Sequence, residues 1–209
     1  MSNYIWLLDA GHGGMKDGVY VTAPAKMHIF DDGLTFYEGV DNRAIVDKLT
    51  LLLQLHGIEY RMVHDRECDT PLHKRVAFAN QLHAETGRCI YLSIHSDAMP
   101  DGAHGKGSGF SVYTSIGKTS SDVLAEIFCV AYQRKLGQFK FRKDTTDGDL
   151  DKEEDFYVLR KTKCPAILIE NLFFDNREEA EFLLSESGQN QISLTLLNAI
   201  RTIENKKPI

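Results

Sequence analysis

Long hydrophobic runs are missing from this chain of 209 residues, so no segment reaches the roughly 20 apolar residues that a membrane-spanning helix needs. Positive charge is in deficit. The 24 Lys and Arg against 30 Asp and Glu leave a net charge of −6, which argues against a nucleic-acid backbone as the main partner and against a basic membrane-surface protein. Only four cysteines occur (Cys68, Cys89, Cys129, Cys164), with no CxxC pair. That excludes a zinc ribbon and a dense disulfide framework and predicts small buried thiols. Internal repeats, low-complexity tracts and Pro/Ser linkers are absent, so one domain over residues 1–209 is expected, with no separate binding module. The start, Met1-Ser2-Asn3-Tyr4-Ile5-Trp6-Leu7, has neither the basic leader nor the apolar length of a signal peptide. Synthesis in the cytoplasm is expected, unless a leader has been trimmed.

What is present is globular composition, 43% apolar and 26% charged, enough for a sizeable core. Strand patterns at 4–9, 58–63, 89–95, 108–114 and 166–170 alternate with helical ones at 41–56, 72–86, 119–136, 176–184 and 189–204. This order predicts an α/β fold, a mostly parallel sheet with helices on both faces. The first, third and last strands are apolar throughout, as strands covered on both faces are. Thr119 or Ser120 is placed to cap the third helix. Two stretches, 13–40 and 137–155, read as long loops.

Each of the three apolar strands runs into a residue that can bind a metal or work beside one. Tyr4-Ile5-Trp6-Leu7-Leu8 leads into Asp9-Ala10-Gly11-His12-Gly13-Gly14, Cys89–Ile94 into His95, and Ala166–Ile169 into Glu170. Ligands of open α/β sheets collect beyond the carboxyl ends of the strands, so parallel neighbours would bring His12, His95 and Glu170 to one rim. Two imidazoles and a carboxylate there point to a zinc hydrolase. Taken singly, each residue has a plainer reading: a surface histidine in a Gly-rich turn, a hydrogen-bonded strand-end histidine, a glutamate paired with Arg160. Glu38, just before a helix, is the further ligand, with Asp31, Asp32 and Asp41 as competitors on sequence grounds. Asp9 is expected to hydrogen-bond backbone or His12, and Asp97 or Ser96 to orient an imidazole. Asp97, Arg160 and Asn171 are weaker candidates for substrate contact or for supporting the ligands. Neither a GxSxG nucleophile elbow nor a phosphate loop occurs.

Asp-Ala-Gly-His-Gly-Gly at 9–14, Glu38 before a helix, Ser-Ile-His-Ser-Asp at 93–97, and Val158-Leu159-Arg160 followed by Pro165-Ala166-Ile167-Leu168-Ile169-Glu170 occur in that order. Together they resemble the zinc-dependent N-acetylmuramoyl-L-alanine amidases of the amidase-3 type, over nearly the whole chain. The resemblance implies a roughly six-stranded sheet, Zn2+ on positions matching His12, Glu38 and His95, and a catalytic glutamate matching Glu170. It implies peptidoglycan or a muropeptide as substrate, cut between the lactyl group of N-acetylmuramic acid and L-alanine. Two departures bear on substrate preference: Gly39 stands where the family usually has Lys, and Asn171-Leu172-Phe173-Phe174 follows the last glutamate. The stretch between His12 and Glu38 is longer than the family's, and no autoinhibitory helix is evident between Glu38 and His95.

On this reading Glu170 is the general base toward water and returns the proton to the departing nitrogen. The alternatives are another zinc peptidase or deacylase on the same scaffold, and a non-catalytic wall-binding protein. A wall hydrolase without leader or binding repeats fits a phage endolysin released through a holin pore. It also fits a muropeptide-recycling enzyme, or one whose leader is lost.

Overall fold

The computed structural model describes residues 2–22, 26–100 and 103–205, and the apolar run at its start becomes β1 (Ile5–Ala10). Two small antiparallel hairpins follow, β2 (Met15–Lys16) with β3 (Val19–Tyr20) and β4 (Met27–Ile29) with β5 (Thr35–Tyr37). The chain continues through α1 (Glu38–Leu55), β6 (Tyr60–Met62), α2 (Leu72–Thr86), β7 (Cys89–Asp97) and β8 (Ser111–Thr114). It ends with α3 (Ser120–Lys135), β9 (Lys152–Glu153), α4 (Tyr157–Lys161), β10 (Ala166–Phe173), α5 (Arg177–Leu184) and α6 (Glu186–Glu204).

The main sheet has six strands in the order β6-β1-β7-β10-β8-β9, with β6, β1, β7 and β10 parallel and β8 antiparallel to β10. The expected mostly parallel α/β architecture is therefore present, with differences of detail that include the short helix α4, which was not expected. The strand expected at 108–114 is shorter and antiparallel; β9, the sixth strand, lies inside the presumed loop 137–155; and the presumed loop 13–40 contains both hairpins. Segments of two or three residues are too short to show a period in sequence.

Side chains alternate across a sheet. Trp6, Leu8, Ala10, Ile90, Leu92, Ile94, Ile167 and Ile169 enter the large core under α1, α3 and α6. Ile5, Leu7, Tyr91, Ala166 and Leu168 face the smaller core under α2 and α4. Thr119 is the cap of α3: its hydroxyl accepts from the Ser121 amide at 3.1 Å and Asp122 accepts from the Thr119 amide at 2.8 Å, a reciprocal capping box. Gly87 ends α2 at φ 70°, where a glycine carries no Cβ penalty. Cys89, Cys129 and Cys164 are buried free thiols as expected, whereas Cys68 is exposed.

Candidate active site

The same alternation selects the residues of the site. Asp9, Ser93, His95 and Glu170 share the α2/α4 face, with Glu170 directly opposite His95 and Asp9 opposite Ser93 in the sheet register. After β1 the chain turns back through Gly11-His12-Gly13. His12 takes φ 63°, a left-handed conformation that costs a non-glycine residue about 1–2 kcal/mol. A Cβ on Gly11 would fall 2.1 Å from the His95 ring, so only glycine lets the two histidines approach. A Cβ on Gly39 would fall 1.9 Å from the Gly13 carbonyl oxygen. The first turn of α1 therefore packs on the His12 loop in a way that leaves no room for a side chain at position 39.

This packing drives Glu38 between the imidazoles. Its Oε2 lies 3.1 Å from His12 Nε2 and its Oε1 3.0 Å from His95 Nδ1, with the two rings 5.0 Å apart and nearly perpendicular. One ligand atom from each of the three residues lies within 4.8 Å of the others. The Ser96 amide (3.3 Å) and Asn42 (3.4 Å) also donate to Glu38 Oε1 and hold the carboxylate in place. Burial alone would raise the pKa of Glu38, but hydrogen bonds and charge from His12 and His95 outweigh it and bring it to about 2. His95 moves upward, since Glu38, Glu170 and Asp9 overcome the effect of its burial.

Glu170 differs. Burial, reinforced by Glu38 and Asp97, pushes its pKa up to about 8 against the opposing charges of His95 and Arg142. Its Oε2 is buried without a hydrogen-bond partner among the described residues. The site opens into a cavity of about 590 Å3, bounded by His12, His95, Glu170 and Arg75 and by an apolar wall that includes Leu72 and Phe156. Cavities of this size that combine apolar lining with a few convergent polar groups are where small ligands bind.

The profile of the N-acetylmuramoyl-L-alanine amidase family matches residues 7–202. The chain belongs to that family. The endolysin of Bacillus phage SPP1 is 27% identical over 215 residues, covering 99% of this chain and 68% of that protein. The N-acetylmuramoyl-L-alanine amidase of Clostridium difficile 630 superposes over 100% of both chains with a TM-score of 0.78 at 22% identity. AmiC2 of Nostoc punctiforme superposes over 96% of both with a TM-score of 0.73 at 24% identity. The amidase reaction is hydrolysis of the amide between N-acetylmuramic acid and L-alanine in peptidoglycan.

Around the amidase site the weaker sequence candidates take varied places. Asp9 is buried and bound to Arg75, and accepts from the Tyr91 hydroxyl at 2.7 Å and the Ser93 hydroxyl at 2.9 Å; among the described residues its carboxylate accepts from neither His12 nor backbone. Asp97 pairs with Arg142 at 2.7 Å instead of with an imidazole. Arg160 pairs with Asp155 at 2.5 Å and does not reach Glu170 as its counterion. Asn171 points to the opposite face, accepting from Tyr132 at 2.8 Å and donating to the His95 carbonyl at 3.0 Å, so it braces β7 from behind. Of the competitors for Glu38, Asp32 pairs with Arg177 at 2.6 Å and Asp41 accepts from Gln189 at 2.9 Å.

Two arginines that sequence reasoning missed hold the His12 loop. Arg43 donates to the carbonyls of Gly11, His12, Gly39, Asp65 and Arg66, and Arg75 to those of Ala10, His12 and Thr70 as well as to Asp9 and Asp69. Both reach the His12 carbonyl, at 2.8 and 3.0 Å, which fixes its strained backbone from two sides. The hint in sequence was slight: Arg75 precedes Val76 on the stripe of α2 that faces the core.

Proposed function

We propose that this amidase works with zinc held by His12, Glu38 and His95 and with Glu170 as its general base. The observation that carries the reading is the convergence of His12, Glu38 and His95 on one point, with His12, His95 and Glu170 lining one cavity and a buried Glu170 oxygen left without a hydrogen-bond partner among the described residues. Two imidazole nitrogens and one carboxylate are a donor set that suits zinc and leaves a fourth position open. Zinc bound there supplies a Lewis acid that lowers the pKa of water toward neutrality and polarises the scissile carbonyl.

The chain's own residues do the rest. Glu170 takes a proton from the attacking water and delivers it to the departing alanine nitrogen. The Arg43 and Arg75 clamps fix His12, so that little reorganisation is needed on reaction. The apolar wall limits the water that reaches the bond.

We further read the protein as a wall-lysing enzyme of the endolysin kind, in line with its similarity to the SPP1 endolysin. Among the described residues no helix is long and apolar enough to cross a membrane. Incubation with purified peptidoglycan, followed by mass analysis of the fragments, tests the function. New alanine amino termini beside intact muramic acid, lost on chelation and restored by zinc, are expected. Release of free carboxyl-terminal amino acids would mark a carboxypeptidase instead.

A further inference from the structure

Three buried or half-buried arginines surround the catalytic rim, and they are not equivalent. Each guanidinium has five N–H groups. Arg43 and Arg75 commit theirs to carbonyls and carboxylates of the fold. Arg142 makes one side-chain hydrogen bond among the described residues, from Nη2 to Asp97 Oδ2 at 2.7 Å, and its Nε is covered without an acceptor. Its position is nevertheless fixed. The Arg142 amide donates to the Phe110 carbonyl at 2.9 Å, its carbonyl accepts from Ser111, and its guanidinium lies 4.4 Å from the centroid of the Phe173 ring. Ser111 stands opposite Glu170, and Asp97 opposite Phe173, on β10. Arg142 thus sits just beyond Glu170 along the strand direction, anchored, partly exposed at 19%, and with donors to spare.

We propose that Arg142 forms a carboxylate subsite for the peptide side of the substrate, reading a free carboxyl group on the second residue of the stem. The inference rests on the amidase reading above. Asp97 lies two residues past His95 on β7, about 6.6 Å at 3.3 Å per residue. The carboxyl group at the far end of the second residue lies two residues along from the scissile alanine nitrogen, about 6.6–7.2 Å in an extended peptide. A planar guanidinium with unused N–H groups matches a carboxylate in two-pronged fashion, and a neutral amide does so poorly.

The test uses two muramoyl-dipeptides that differ only in whether the second residue carries a free carboxylate or its amide. Cleavage by the zinc-loaded protein should favour the acid by at least tenfold in kcat/KM. In Arg142→Gln that ratio should fall to near one, and Arg142→Lys should restore part of it. Arg142 also touches the field at Glu170, so absolute rates can fall in both variants; the acid-to-amide ratio isolates the subsite. An unchanged ratio in Arg142→Gln overturns the proposal. Should the natural protein cleave neither compound, it is the amidase reading that fails. Calorimetric affinities of the same two compounds then decide the subsite: tighter binding of the acid, lost in Arg142→Gln, supports it, and equal binding overturns it.

Discussion

The two faces of the central sheet are built from the same strands and have opposite characters. Toward α1, α3 and α6 the strands present Trp6, Leu8, Ala10, Ile90, Leu92, Ile94, Ile167 and Ile169, all buried in one hydrophobic core. Toward α2 and α4 the intervening positions begin apolar and turn polar at the carboxyl ends, with Asp9, Ser93, His95 and Glu170. The period of two lets one strand supply packing to one side and chemistry to the other without compromise. Asp9 and Arg75 complicate the division, since they lie on the reactive face but bond to the fold. The expectation is that substitutions on the closed face change stability, those at the ligands and Glu170 change activity, and those at Asp9 and Arg75 change both.

The largest effect should come from the proposed metal ligands and the proposed base. His12→Ala or His95→Ala should lose bound metal and activity together, read by metal analysis alongside peptidoglycan release. Glu170→Gln should keep the metal and lose a factor of about 10²–10⁴ in turnover, the usual worth of a positioned proton carrier. Near-normal turnover in Glu170→Gln would remove Glu170 from the chemistry and leave the rim a binding site.

Next in size is Arg75→Ala. It strands Asp9, buried at 1% exposure, without its counterion, and removing one partner of a buried pair costs about 3–5 kcal/mol. The His12 carbonyl also loses one of its two clamps, so the specific activity of the folded fraction should drop. Leu92→Ala, on the closed face, should cost about 2–5 kcal/mol in urea unfolding with the metal content unchanged. A loss of specific activity there equal to that of Arg75→Ala would abolish the distinction between the faces.

How far this division could be read in advance depended on local pattern. The strands β1, β7 and β10 were plain because strands covered on both faces are apolar runs, and each run stops at a polar residue where the rim begins. His12, His95 and Glu170 were visible for that reason. Glu38 was chosen as the further ligand, but its surroundings did not separate it from Asp31, Asp32 and Asp41, and the family resemblance was what favoured it. The arginines were hidden for a different cause. Little near Arg43, Arg75 or Arg142 in the chain distinguishes them from solvated charges; their partners are up to 66 residues away, as with Arg75 and Asp9. Arg160, adjacent to the apolar Leu159, looked like the counterion of Glu170 and turned outward to Asp155.

The smallest effect concerns pH and the metal-free protein. Folded, Glu170 holds its proton up to about pH 8 because it is buried near Glu38 and Asp97; unfolded, a glutamate ionises near 4.5. Between those values the folded state binds more protons than the unfolded one, so stability must fall as pH rises. The contribution is whole below about 4.5 and gone above about 8. His95 acts in the same sense, its pKa being raised in the fold. Glu170→Gln deletes the first contribution and weakens the second, because Glu170 is one of the charges that raise His95. Urea midpoints of the chelated protein at pH 5 and pH 8 should therefore lie further apart in the natural chain than in Glu170→Gln. Equal separations would mean that Glu170 is hydrated and ionised throughout. The reactive face would then differ from the closed one in composition but not in dryness, and the elevated basicity assigned to Glu170 would lose its physical cause.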